Sequence, residues 1–139
     1  MARVKREASP QCLILDSGAV IAASRGDDRA LAYLRRAVEV DADVRVPVAV
    51  VAETTRGRPR DAGVHRVLNA VGRCEPTTES IGRLAGELLE RAGRNDTVDA
   101  LVVAEASAAG NAIVLTGDPR DLAALADRLP GVQIVSLNR

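Results

Sequence analysis

Apolar residues fall along this chain in two rhythms. Some short runs are apolar at nearly every position: CLIL at 12–15, AIVLT at 112–116 and VQIVSL at 132–137. Such runs read as strands covered on both faces. VRVPV at 44–48 is also strand-like, but Pro47 keeps it from being a long central strand and suits the first turn of a helix. Residues 73–76 are a further, short strand candidate. Elsewhere the apolar positions recur at helical spacing. SGAVIAAS reads as a short helix opened near Ser17. Asp27 or Asp28 can cap a second helix bearing Leu31, Leu34 and Val38. VAVVAETTRG looks helical and stops near Gly57, and 58–63 reads as a loop. Val64, Val67, Leu68 and Val71 share one helical face. Thr77 or Thr78 caps a long helix to Ala92, followed by the turn 93–95. A helix over 96–110 takes Asp96 as N-cap and closes at Gly110, and another covers 120–128.

Strands and helices alternate over the whole length, and the strands are apolar throughout rather than on one side. Both features predict an α/β fold, a three-layer α/β/α sandwich around a central, mainly parallel sheet. Residues 1–11 read as a polar tail and 12–139 as a single domain, without repeats or low-complexity segments.

Composition sharpens this picture in a few places. The 139 residues are 47% hydrophobic and 27% charged, as in soluble globular domains. Tyr33 is the only aromatic residue, so the core must be aliphatic and no platform of rings exists to stack on unpaired bases. Nineteen basic side chains balance nineteen acidic ones, so no global field draws the protein to nucleic acid, and any such binding must come from local patches. Eighteen of the basic residues are Arg, which fits either phosphate recognition or a coding bias that also enriches Ala. Cys12 and Cys74 are isolated, which points to thiols in a reducing compartment rather than to thiolate metal ligands. The amino terminus is basic with no apolar segment of signal-peptide type behind it. The run from Leu13 to Ala23 is broken by Asp16 and too short to cross a bilayer. A cytoplasmic protein without membrane contact is expected.

Four acids stand out against the apolar pattern. Asp16 ends the first strand, and Asp118 follows the strand at 112–116. Asp99 sits in a helix apolar nearly all round, and Glu53 is the one acid in VAVVAE. Each has a plain structural alternative. Asp16 can be a turn residue or cap the helix from Ser17. Asp99 can form a capping box with Asp96, Glu53 can be a surface glutamate, and Asp118 can cap a helix opened by Pro119. Taken together, four carboxylates in or beside apolar runs call for a shared counter-charge, because a buried acid seldom stays unpaired. Ligands lie beyond the carboxyl ends of the strands in an open parallel sheet, so Asp16 and Asp118 would share one rim if their strands are neighbours. Oxygen-only ligands suit Mg²⁺ or Mn²⁺, and a pair of such ions roughly 4 Å apart is suited to phosphodiester hydrolysis. His65, the one histidine, reads as a surface or packing residue.

The segments LILDSGAVIA, VPVAVVAET, DTVDALVVAEA and IVLTGDPRDL, in this order and spacing, resemble the PIN-domain family and, within it, the VapC-type toxins of bacterial toxin–antitoxin pairs. The resemblance covers the chain from about residue 12 onward. It implies a parallel-sheet α/β/α sandwich with metal-dependent ribonuclease activity on tRNA, ribosomal RNA or mRNA. By position it places the four catalytic, metal-binding acids at Asp16, Glu53, Asp99 and Asp118. Asp16, Asp99 and Asp118 would be most directly on Mg²⁺ or Mn²⁺, with Glu53 holding a second ion or orienting water. Ser17 and Thr116 match polar positions that brace the acids, and Asp96 and Asp121 are further acids around them. The resemblance also implies homodimers and inhibition by a cognate antitoxin. The tail before the first strand is longer than usual, and Leu122 stands where many members carry an aromatic residue.

An acidic pocket cannot attract RNA by itself, so arginines at its rim are expected to hold flanking phosphates. Arg56, Arg58 and Arg60 follow Glu53, Arg25 and Arg29 flank the loop after the first helix, and Arg94 precedes Asp96. Any of them can equally belong to a solvated surface. Other enzyme classes fit poorly. A haloacid-dehalogenase-type phosphotransferase wants a second acid where this chain has Gly18. A response-regulator receiver wants a late lysine, and the only lysine is Lys5. A catalytically degenerate module that binds RNA or protein remains the alternative to the nuclease.

Overall fold

A computed structural model describes residues 11–71 and 74–138. Its sheet has four strands: β1 (Cys12–Leu15), β2 (Asp43–Arg45), β3 (Ala112–Thr116) and β4 (Val132–Ser136). They lie in the order β2-β1-β3-β4, and every pairing is parallel. Among the described residues seven α-helices fill the connections: α1 (Ser17–Ser24), α2 (Asp28–Glu39), α3 (Val48–Thr54), α4 (Ala62–Val71), α5 (Glu79–Ala92), α6 (Thr97–Ala109) and α7 (Pro119–Leu125). β1 and most of β3 are buried, as their uninterrupted apolar sequence requires. α6 packs on β1, β3 and β4, with α5 and α7 against it. α1 packs on β1 and β3, with α2, α3 and α4 beside it. The sheet is thereby the middle layer of an α/β/α sandwich. The core is aliphatic, with Ile14, Leu15, Val20, Val50, Val102, Val103, Val114 and Leu115 fully buried.

The strand order carries the functional consequence. From β1 the chain crosses to β2 on one side, then passes back beyond β1 to β3 and on to β4. The neighbouring β1 and β3 therefore hand on to connections running in opposite directions, and a crevice opens beyond their carboxyl ends. Leu15 pairs with Leu115, which puts Asp16 and Thr116 level at that rim. The turns after the two strands meet at glycines. A Cβ on Gly18 would stand 3.0 Å from the Gly117 nitrogen, so only hydrogen lets the turns approach this closely.

Several boundaries differ from the sequence expectation. β2 ends at Arg45, and Pro47 is the N-cap of α3 rather than part of a strand. α3 stops at Thr54, before Gly57, where Thr54 and Thr55 donate their hydroxyls to the Val50 and Val51 carbonyls, each at 2.8 Å. Residues 58–63 are not a loop: Pro59–Asp61 form a 3₁₀ turn that runs into α4. The buried Asp61 carboxylate organises it, accepting from the Arg56 N–H at 2.6 Å and the Arg58 N–H at 3.2 Å, and these bonds hold its carboxyl below the usual range. Residues 74–76 form no strand, and Pro76 has no N–H for a ladder. Residue 73 and the tail residues 1–10 lie outside the described part. α7 begins at Pro119 and ends at Leu125, three residues short of the expected end at 128, where Arg128 takes φ +67°.

Gly18→Val is expected to wedge the two strand-end turns apart and lower stability by roughly 1–3 kcal/mol. The denaturant midpoint reads this directly, and a wild-type midpoint would show that the close approach carries no packing energy.

Candidate active site

The first acid is fixed by the strand register. Asp16 follows β1, is buried, and continues the ladder by donating its N–H to the Leu115 carbonyl at 3.0 Å. Its carboxylate accepts from the Thr116 hydroxyl at 2.8 Å, and the Asp118 N–H donates to that same hydroxyl oxygen at 2.9 Å. Thr116 thus ties the ends of β1 and β3 together. Although Asp16 and Asp118 occupy N-cap positions, neither side chain caps its helix. Both residues thus take the capping position without the side-chain capping bond, and Asp16 accepts from the neighbouring Ser17 N–H instead.

Glu53 reaches the rim from α3. It is exposed, and it accepts from the Ser17 hydroxyl at 2.5 Å, a short bond across two helices distant in sequence. Asp99 comes from the first turn of α6 and is half-buried. The charges of these side chains act on one another. Burial pushes the Asp16 carboxyl up, opposed by the bonds from Thr116 and from the Ser17 N–H, while Glu53 and Asp118 push it further up. Asp99 is pushed up to about 6, by burial first and then by Asp16, Asp96, Asp121 and Glu53.

The tightest acidic group is a different one. Among the described residues, Asp96, Asp99 and Asp121 bring carboxylate oxygens within 4.8 Å of one another. Asp96 stands at the N-cap of α6, yet its side chain makes no capping bond. Its carboxylate lies instead 3.6 Å from Arg94, which also meets Asp121 at 2.8 Å. Asp99 therefore feels two groups, an inner one of Asp16 and Glu53, with Asp118 acting on Asp16, and an outer one of Asp96 and Asp121; among the described residues no three of Asp16, Glu53, Asp99 and Asp118 bring carboxylate oxygens within 4.8 Å of one another. Arg94 serves the outer set. Among the described residues no ion pair reaches Asp16, Glu53, Asp99 or Asp118. A set of oxygen donors, partly desolvated and without a counter-charge of its own, fits a hard divalent cation such as Mg²⁺ or Mn²⁺.

The arginines separate by position. Arg94 is engaged with the acids, which leaves its guanidinium committed rather than presented to a phosphate. Arg56 donates to the Ala52 and Thr55 carbonyls, each at 2.8 Å, at the end of α3. Arg25 is the C-cap of α1, at the far end of the helix whose start carries Ser17. Arg29 donates to the Asn138 carbonyl at 3.2 Å. Arg58 is exposed, five residues beyond Glu53 in the chain. His65 is exposed on α4.

Two features escaped the sequence reading. Glu105, on α6, is 2% exposed, with Oε2 lacking a hydrogen-bond partner. Burial pushes its carboxyl up, Arg45 pulls it down, and Glu75 pushes it up. It stands in the run VVAEA much as Asp99 stands in VDALVV, so the same signal was present in the sequence. The second is an apolar groove of about 650 Å³ between α2, α4 and β2, lined by Leu31, Leu34, Val38, Val44, Val67 and Val71 among others. It reaches the end of α1 at Ala23 and Ser24, away from the acids, and Val38 beside it is 79% exposed.

With this geometry in place, comparison with known proteins is direct. The PIN domain family model matches residues 13–128, a span that contains all four inner acids, and the chain belongs to that family. The structure resembles VapBC2 from Rickettsia felis, solved with a DNA fragment from its promoter, with a TM-score of 0.72, 16% identity, and coverage of 92% of this chain and 100% of that one. It also resembles VapBC-1 from nontypeable Haemophilus influenzae (TM-score 0.65, 16% identity, 93% and 100% covered). FitAcB from Neisseria gonorrhoeae is similar as well (0.64, 18% identity, 89% and 96% covered). No curated protein matches the chain. No helix among the described residues is long and apolar enough to cross a membrane.

The raised carboxyls give a pH dependence with a definite sign. Between the unperturbed 3.8 and about 6, folded Asp99 holds more protons than unfolded Asp99, so stability falls as pH rises through that window. Asp16 acts in the same direction. In EDTA, Asp99→Asn is expected to gain on the order of 1 kcal/mol over wild type near neutral pH and nothing near pH 4. Melts of both proteins at the two pH values check this, and a pH-independent difference would contradict it.

Proposed function

We propose that this chain is a metal-dependent endoribonuclease of the VapC toxin type, hydrolysing RNA phosphodiesters at the rim formed by Asp16, Glu53, Asp99 and Asp118. The observation that carries the reading is the uncompensated inner set of carboxylates at the switch point of a PIN-domain sheet. Asp16, Asp99 and Asp118 would hold Mg²⁺ or Mn²⁺, with Glu53 at a second ion or at the attacking water. The ion, when bound, supplies Lewis acidity, which lowers the pKa of water and offsets charge on the phosphate. The chain's own groups do the positioning. Thr116 fixes Asp16 and ties it to the Asp118 backbone, and Ser17 orients Glu53. Of the arginines named beside Glu53, Arg58 and Arg60 are exposed and carry the proposed contact with a flanking phosphate, since the guanidinium groups of Arg94 and Arg56 are engaged within the protein.

The reading includes a cognate antitoxin and homodimeric assembly. It draws support from the VapBC structures that share the fold, and the apolar groove beside Val38 offers a surface for an apolar segment of that antitoxin, clear of the acids. Val38→Glu is expected to lose co-purification with the antitoxin while leaving RNA cleavage by the free protein at the wild-type rate. Retained co-purification would remove the groove from the account.

Asp16→Asn is expected to keep the fold, because it replaces a desolvated carboxyl with a neutral group of the same shape. It should also lower cleavage by on the order of a hundredfold or more, the loss of several kcal/mol of transition-state stabilisation. The assay is total RNA with Mn²⁺ or Mg²⁺, then with EDTA. Wild-type fragments that appear without metal, or a variant that cuts at the native rate, would defeat the assignment. No fragments under any condition would favour a degenerate binding module.

A further inference from the structure

We infer that Arg94 is a built-in cation that stands in for a divalent ion at the outer acids, so that the rim takes one ion at the inner set and none at Asp96 and Asp121. The inference rests on reading the inner acids as metal ligands.

Three observations lead to it. First, Asp96, Asp99 and Asp121 converge to within 4.8 Å, the spacing a cation would need, more closely than any other acidic group among the described residues. Second, one guanidinium already occupies that convergence, 2.8 Å from Asp121 and 3.6 Å from Asp96. Arg94 reaches Asp121 across 27 residues of sequence, from the turn before α6 to the first turn of α7. Its side chain is 31% exposed, which shields the pair from full solvent screening. Third, the Asp96 side chain gives up the capping bond its position invites. An N-cap aspartate ordinarily accepts from its own helix, whereas this carboxylate lies within ion-pair range of the guanidinium.

Asp99 belongs to both sets, and this is what makes Arg94 consequential. With the outer carboxylates neutralised by a fixed charge, Asp99 is left as the member available to an inner ion. Without the guanidinium, Asp96, Asp99 and Asp121 form a second oxygen-only group competing for the same carboxylate. Arg94 is thus a positioning residue that sets how many ions bind, and it does not touch the substrate.

The test counts Mn²⁺ ions by electron paramagnetic resonance of the free ion, on full-length, EDTA-stripped protein without RNA. Wild type is expected to bind one equivalent. Arg94→Gln is expected to bind two, and Arg94→Gln with Asp121→Asn to return to one. Arg94→Lys, which keeps a charge at the site, should stay at one equivalent, a rescue that a merely structural role does not predict. One equivalent in Arg94→Gln, or two in wild type, overturns the inference while leaving the nuclease reading intact. A wild type that binds no Mn²⁺ overturns both.

Discussion

Negative charge without a counter-charge is the constraint around which this protein is built. Asp16 is buried at the end of β1, Asp99 is pushed up to about 6, and Glu53 and Asp118 add their fields to Asp16. Such raised carboxyls cost stability as pH rises, and the neighbouring contacts hold them in place. The strand register sets Thr116 level with Asp16, so that a hydroxyl donates where a second acid would repel. Gly18 and Gly117 let the two turns close on each other. The apolar body of α6, with Val102, Val103, Ala104 and Ala106 buried, anchors a helix whose first turn carries Asp99 to the rim. Aliphatic packing in the layers is what sustains the strained electrostatics at the edge.

That division of labour explains what could be read from the sequence. The strands of the sheet centre were legible because burial on both faces leaves no polar position, and CLIL and AIVLT contain none before their ends. The rim acids were legible because they interrupt apolar runs. What failed depends on contacts between residues far apart in the chain, or on groups whose local pattern is ambiguous. Residues 58–63 looked like a loop because nothing local says that Asp61 will turn back to the N–H groups of Arg56 and Arg58. Asp96 does take the N-cap position of α6, but nothing local says that its side chain will lie beside Arg94, itself held by Asp121 from another helix, instead of capping. The groove could not be seen at all, since Leu31 and Leu34 on α2 and Val67 on α4 each look like ordinary core positions until their helices are found to leave a gap.

The arginines show the same limit from the other side. Proximity in sequence placed Arg25, Arg56, Arg58 and Arg94 together as candidates for phosphate. The fold gives them different lives: one at the far end of α1, one on the carbonyls of its own helix end, one exposed, one locked between carboxylates. A guanidinium is recruited by the nearest group able to accept its forked donors, and in a folded chain that group is seldom predictable from neighbours in the sequence.

Glu105 completes the argument, because it separates burial from function. It lies on the same helix as Asp99 and exposes less of its surface than any acid of the rim. By the reasoning that a buried acid demands a cation, it should have been the strongest candidate. Its surroundings differ, however. Arg45 on β2 pulls its carboxyl down, so a basic group of the protein already answers part of its charge, and Glu75 is the one acid that acts on it. Asp99 feels four acids and no base among its resolved influences. The two acids thus differ in the sign of the charges around them, which raises the one without relief and partly offsets the other. α6 therefore carries two unlike acids six residues apart, Asp99 half-buried among acids in its first turn and Glu105 buried with Arg45 acting on it.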